Sequence, residues 1–306
     1  MPSTPPPDFA TALAAGPLVL DGGLSDRLAA AGHDLADGLW SARLLLDAPE
    51  AVRAVHRAYF EAGAEVAITA SYQASFEGFA RRGVGRAGVA RLLALGVELA
   101  REAAGGLPGR RRWVAASVGP YGAVTADGSE YRGRYGLSTA ELEAFHRPRL
   151  EALAAAGPDV LALETVPDAD EARALLRAVR GLGVPVWLSF SVAGGRTRAG
   201  QPLAEAFAPA AEADEVVAVG VNCCAPQEVD GAVALAARVT GKPVVVYPNS
   251  GEGWDAAARD WTGGPTFAAE RVAGWLSGGA RLVGGCCRVG PAQIRELAAE
   301  VARFRS

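Results

Sequence analysis

All four cysteines of the chain fall in two adjacent pairs, Cys223-Cys224 and Cys286-Cys287. Each pair closes a short apolar run, Val219-Gly220-Val221-Asn222 before the first and Leu282-Val283-Gly284-Gly285 before the second. A lone free cysteine is most often a small buried hydrophobe, but this concentration asks for chemistry. Neighbouring cysteines rarely bridge each other comfortably, and the Cys-x-x-Cys spacing of a zinc ribbon or a redox dithiol is absent. Thiolates drawn together from two distant segments suit zinc, a borderline-soft ion that prefers tetrahedral coordination. Three would leave the open position of a catalytic site, and a fourth would close it into a structural one. Successive side chains on a strand face opposite ways. Both members of a pair therefore reach one ion only if the chain bends past the strand, which Gly284-Gly285 would permit.

The elements that must position these thiols repeat along the chain. Eight short apolar runs occur: Leu18 to Gly23, Val66 to Tyr72, Trp113 to Pro120, Val160 to Thr165, Val186 to Val192, Ala218 to Cys224, Val244 to Asn249 and Leu282 to Cys287. Between them lie segments with apolar residues at helical spacing, such as Pro49 to Ala62, Arg91 to Ala104, Ala140 to Ala156 and Ala169 to Arg180. Apolar strands alternating with helices mean a parallel sheet covered on both faces. Eight such units predict an α/β fold of the (β/α)8 TIM-barrel type, with the active site at the C-terminal ends of the strands. An open Rossmann-like sheet would call for Gly-x-Gly-x-x-Gly after the first strand, where Gly22-Gly23-Leu24-Ser25 stands instead. The barrel gathers Asp21, Ser71, Ser117, Glu164, Asn222, Cys223, Asn249, Cys286 and Cys287 around one mouth.

Composition sets the partners. Half of the 306 residues are hydrophobic and 21% are charged, which suits a soluble chain with a sizeable core. The net charge of −4 gives no basic excess for nucleic acid or an anionic membrane. No apolar run approaches the roughly 18 residues of a membrane span. Residues 1–8, half of them proline, read as a flexible tail, and 9–306 as a single barrel domain. With no secretory signal and no disulfide framework, the cytoplasm is the expected compartment.

Across nearly its whole length the chain resembles the homocysteine S-methyltransferases. The matching stretches are Asp21-Gly22-Gly23-Leu24, Thr69-Ala70-Ser71-Tyr72-Gln73-Ala74-Ser75, Ser117-Val118-Gly119-Pro120-Tyr121-Gly122-Ala123 and Asp127-Gly128-Ser129-Glu130-Tyr131-Arg132-Gly133. They continue with Phe145-His146-Arg147-Pro148-Arg149, Glu164-Thr165, Gly220-Val221-Asn222-Cys223, Tyr247-Pro248-Asn249-Ser250-Gly251-Glu252 and Gly284-Gly285-Cys286-Cys287-Arg288. The likeness is greatest to the stand-alone branch that draws its methyl group from S-methylmethionine or S-adenosylmethionine. It implies a (β/α)8 barrel with zinc (Zn2+) on three cysteines, here Cys223, Cys286 and Cys287, and leaves Cys224 to packing. The substrates are then small molecules, homocysteine and a sulfonium donor, and the product is methionine.

Zinc deprotonates a coordinating thiol, so the homocysteine sulfur is expected as fourth ligand, displacing the donor's sulfur in line at the methyl carbon. No catalytic residue beyond this activated thiolate is expected. Asp21 and Glu164 are candidates to hold the substrate ammonium, although an acid in such places also caps helices or forms surface ion pairs. The backbone at Gly22-Gly23 could approach the carboxylate, and Ser117 and Asn249 are further polar candidates. Tyr72, Tyr121, Tyr247 and Trp254 could face a cationic donor or simply pack. His56 and His146, in helical segments, read as satisfied structural histidines. The competing readings are a betaine-type homocysteine methyltransferase and a non-catalytic zinc-binding barrel. The latter has no use for amino-acid anchors such as Asp21 and Glu164. A methylfolate type would carry further domains, whereas this chain stops at Ser306 after its eighth helix.

Overall fold

The computed structural model describes residues 8–255 and 260–306. Of the Pro-rich tail only Asp8 belongs to the described residues, and it caps the helix Phe9–Ala15 by accepting from Thr11 N at 2.7 Å.

One parallel strand overlaps each of the eight apolar runs: β1 (Leu18–Val19), β2 (Val66–Ile68), β3 (Trp113–Val118), β4 (Val160–Val166), β5 (Val186–Phe190), β6 (Val216–Asn222), β7 (Val244–Tyr247) and β8 (Ala280–Val283). They pair in the order β1-β8-β7-β6-β5-β4-β3-β2. A parallel bridge from Leu20 to Val66 joins the two ends, with Glu65 N donating to Val19 O at 2.7 Å and Asp21 N to Val66 O at 3.0 Å. The result is the expected (β/α)8 barrel. All runs but the fourth extend past the end of their strand, because their last residues already belong to the loops at the C-terminal end, and β6 and β8 begin two residues before their runs.

The alternation of side chains sorts the strand residues into two apolar layers. Trp113 and Ala115, Val160 and Ala162, Trp187, Ala218, Val245 and Leu282 fill the barrel. Val114, Ala116, Leu161, Leu163, Leu188, Val219, Val221 and Val246 face the surrounding helices. Phe9 and Leu13 of the first helix close the floor of the inner layer, Phe9 meeting Trp113 edge-on at 5.5 Å. Each such buried side chain stabilises the fold by about 1.5–3 kcal/mol, so the floor is the face that serves stability.

The four helices read from periodicity occupy Pro49–Glu61, Arg86–Ala104, Thr139–Ala155 and Ala169–Ala178. The second starts earlier than its apolar spacing suggested, and Val89, two residues before the expected start, is fully buried. The third begins in a capping box, Ser138 and Glu141 satisfying each other's backbone N–H groups. Two antiparallel hairpins, Val192–Ala193 with Arg196–Thr197 and Gly253–Asp255 with Asp260–Thr262, follow β5 and β7. Trp254 lies on the second, and its side chain is outside the described residues. Among the described residues no helix is long and apolar enough to cross a membrane.

Candidate active site

β6 ends at Asn222, and strand alternation would send the next side chain outward. Instead Cys223 takes a left-handed backbone, φ 49°, a conformation rare outside glycine and held only by its surroundings. Cys223 N donates to Tyr247 O at 3.2 Å, and Asn249 N donates to Cys224 O at 2.9 Å. The two side chains part there: Cys223 turns to the mouth, and Cys224 is buried in the outer apolar layer.

At β8 the strand ends at Val283, before the glycines. Gly285 N donates to Asp21 O at 3.1 Å, Cys286 N to Pro248 O at 2.7 Å, and Cys287 N to Asn249 Oδ1 at 3.1 Å. The chain leaves the strand at the glycines, as expected, but with no left-handed residue there, since the positive φ of this loop belongs to Arg288, at 62°. Their role is close approach: a Cβ on Gly284 would lie 2.5 Å from the Leu20 Cβ, and one on Gly285 would lie 2.1 Å from the Val289 Cγ1.

These backbones bring the sulfurs of Cys223, Cys286 and Cys287 within 4.8 Å of one another, with Cys223 and Cys287 at 3.8 Å. Tetrahedral zinc with Zn–S bonds of about 2.3 Å spaces its sulfurs by about 3.8 Å, so the donor set fits that ion. The three thiols also share charge unequally. Hydrogen bonds from Cys286, then Cys287, then Tyr131 hold the Cys223 thiol well below its ordinary value, whereas bonding to Cys223 pushes Cys286 and Cys287 up. Burial pushes the Cys224 thiol up, as befits a packing residue.

Below the sulfurs a polar belt lines the top of the barrel. Glu164 accepts from Ser117 Oγ at one oxygen and from the Tyr247 hydroxyl, at 3.1 Å, at the other. Ser189 Oγ stands 2.8 Å from both the Tyr247 hydroxyl and Asn222 Oδ1, and Asn222 Nδ2 donates to Thr165 Oγ1 at 2.7 Å. Burial pushes the Glu164 carboxyl up to about 7, against the opposing pull of Ser117 and Tyr247. Asp21 is 1% exposed. Its Oδ2 accepts from Ile68 N at 2.9 Å, while Oδ1 has no partner among the described residues. Burial holds this carboxyl well above the usual range; the Ile68 hydrogen bond opposes the shift and the Glu164 charge adds to it. Asp21 is therefore not a helix cap, nor Glu164 a surface ion pair. Two buried carboxyls at one mouth, with the Glu164 charge adding to the upward shift of Asp21, present a site suited to a cation.

The other expected residues fall as follows. Gly23 N donates to Val289 O at 3.0 Å, and a Cβ on Gly22 would lie 2.2 Å from that same oxygen. These glycines thus press the β1 loop against the cysteine loop, and the Gly23 N–H is already engaged. Asn249 reaches Cys287 N, and Ser117 reaches Glu164. His146 is satisfied, its Nε2 2.9 Å from Glu171 Oε1 and its Nδ1 2.6 Å from Arg149 Nη2. His56 is not: it is fully buried, and neither ring nitrogen has a partner among the described residues, its Nδ1 lying 4.0 Å from Asp21 Oδ2. Burial lowers it to about 4, so it stands neutral beside Asp21.

Of the aromatic candidates, Tyr121 packs against Tyr135 and Phe145 at 5.1 and 4.9 Å. Tyr72 is close enough to the cluster for the Cys223 charge to add to burial in holding its hydroxyl protonated, and Trp40 meets its ring edge-on at 6.3 Å. Sequence reasoning passed over Tyr131, whose hydroxyl is 3.3 Å from Cys223 Sγ. Its only signal was its place in the stretch Asp127–Gly133.

A homocysteine S-methyltransferase family model matches residues 18–301. Homocysteine S-methyltransferase 4 of Zea mays is 47% identical, covering 94% of this chain and 90% of that protein. Homocysteine S-methyltransferase YbgG of Bacillus subtilis is 43% identical over 92% of this chain and 93% of its own. Among solved structures, the metallated form of the Escherichia coli homocysteine methyltransferase MmuM superposes with a TM-score of 0.85 at 43% identity, covering 94% of this chain and 98% of that one.

Proposed function

The chain belongs to the homocysteine S-methyltransferase family, and from that premise we propose that it moves a methyl group from S-methylmethionine or S-adenosylmethionine to the sulfur of L-homocysteine, giving methionine. The observation that carries this reading is the convergence of three thiols, within 4.8 Å, above two buried carboxylates at one barrel mouth.

Cys223, Cys286 and Cys287 would hold a zinc ion. Bound there, the ion supplies a Lewis acid that favours the substrate's thiolate over its thiol near neutral pH. The remaining work falls to the chain's own groups. Asp21 Oδ1 and Glu164 take the substrate ammonium, whose positive charge keeps both carboxylates ionised despite burial. Ser117 and Tyr247 fix the orientation of Glu164, and Asn249 fixes Cys287 through its backbone. The faces of Tyr72 and Trp40 suit a cationic sulfonium. The methyl carbon then passes between two aligned sulfurs: the new C–S bond forms as the old one breaks, and its electron pair stays on the donor sulfur. Alignment of this kind accounts for much of such a rate enhancement. The Gly22-Gly23 backbone serves the site by letting the β1 loop close against the cysteine loop. We place the protein in the cytoplasm, where four free thiols stay reduced, and read 9–306 as one catalytic domain behind the tail 1–8.

The test is purified protein with zinc, homocysteine and each donor in turn, scored for methionine. Methionine from S-methylmethionine or S-adenosylmethionine is the expected result. Turnover with betaine alone would reassign the donor, and no methionine from any donor would overturn the reading in favour of a non-catalytic barrel.

A further inference from the structure

The loops after β3, β5 and β6 meet above the cysteine cluster, and they meet on Tyr131. This residue ends the short helix Ser129–Tyr131, and its hydroxyl lies 3.3 Å from Cys223 Sγ. Its own loop is braced by Thr125 Oγ1 and Ser129 Oγ at 2.9 Å and by Ser129 N donating to Asp127 at 3.0 Å. The Arg198 guanidinium lies over the Tyr131 ring, 5.4 Å from its centre. Arg198 is fixed in turn, donating from its backbone N to Ser191 O and from Nε to Ser191 Oγ, both at 3.2 Å. The hairpin leading to it is tied down at its tip, where Gly194 N and Gly195 N donate to the Glu228 carboxylate at 2.8 and 3.0 Å. Glu228 stands on the helix Pro226–Thr240, which begins just after the Cys223-Cys224 pair. The phenol is thus held by two loops at an atom belonging to a third.

A phenol O–H beside a thiolate is a donor, and a hydrogen bond to a charged acceptor is among the stronger ones. Among the described residues the hydroxyl's sulfur partner is Cys223 alone, so the three thiols are not equivalent. We propose that Tyr131 is a positioning residue of the metal centre: its hydroxyl donates to the Cys223 thiolate and draws charge from that one ligand. A zinc ion held there would present a stronger positive charge to the substrate thiol. Outer-shell partners of metal ligands tune the centre in this way. The inference rests on the zinc reading above.

The test is Tyr131→Phe, which keeps the ring under Arg198 and removes only the hydroxyl. Wild type and variant are loaded with Co2+ in place of zinc, and the thiolate-to-cobalt charge-transfer absorption is recorded. The band is expected at longer wavelength in the variant, because an unbonded Cys223 gives up its electrons more easily. The proton released when homocysteine binds is expected to leave at higher pH. The KM for homocysteine near neutral pH is expected to rise by roughly tenfold, with cobalt stoichiometry unchanged. A wild-type protein that takes up no cobalt on its thiols would sink the metal reading, and this inference with it. A wild-type band that Tyr131→Phe leaves in place, with an unmoved proton-release profile, would overturn the role of Tyr131 alone.

Discussion

The two cysteine pairs are the same dipeptide, and the backbone treats them differently. At β6 the pair follows the strand directly, so one sulfur goes to the mouth and the other to the outer core. It takes a left-handed residue, Cys223 with φ 49°, to turn the first one in. At β8 two glycines separate the strand from the pair, and both sulfurs reach the cluster from a loop pinned to Pro248 and Asn249. Strand alternation divides the first pair, while loop hydrogen bonds unite the second. A cysteine's chemistry here is set by the backbone beneath it rather than by its neighbour in sequence.

Removing a sulfur from the united pair should have the largest effect. In Cys287→Ala the methyltransferase rate is expected to fall by more than the ~100-fold that loss of a mere outer-shell partner can cost; an assay with saturating zinc and homocysteine measures it. A rate within tenfold of wild type would mean that the second pair does not act as a unit.

Asn249 sharpens the contrast because it touches both pairs, donating its N–H to Cys224 O and accepting from Cys287 N at its side chain. Asn249→Ala keeps the first contact and deletes the second. Zinc affinity is expected to drop roughly tenfold, with little change in the melting temperature of the zinc-free protein. Competition with a chromophoric chelator reads the affinity. Unchanged affinity would show that the second pair holds its place without the side chain.

Cys224→Ala should have the smallest effect. It removes a buried outer-layer sulfur, so a stability loss of about 1 kcal/mol, or a few degrees in melting temperature, is expected, with kcat and KM unchanged. Calorimetry and steady-state kinetics on one preparation check both halves.

Much of this was legible in the sequence, and the remainder divides along physical lines. The eight strands were readable because a short continuous apolar run and helical spacing are local properties, written wherever a strand covered on both faces or a helix stands. The mouth followed from topology, since parallel strands in a barrel end on one face, and so Asp21, Glu164 and three of the cysteines lie together there. The choice between Cys223 and Cys224 was not local. It rests on a backbone angle stabilised by Tyr247 O and Asn249, residues that β7 delivers from elsewhere. The departure from the strand at Gly284-Gly285 was readable, but the second constraint on these glycines was not: the proximity of Leu20 and Val289, at the two ends of the chain. The hairpins after β5 and β7, the unpartnered His56 behind Asp21, and Tyr131 above Cys223 also depend on how loops from different strands meet.

The most direct measurement is the zinc content of the wild-type chain, Cys223→Ala and Cys224→Ala, purified alike and dialysed against a weak chelator. The account predicts one zinc per chain for wild type and for Cys224→Ala, and little for Cys223→Ala. Zinc lost from Cys224→Ala but retained by Cys223→Ala, or no zinc in the wild type, would contradict it.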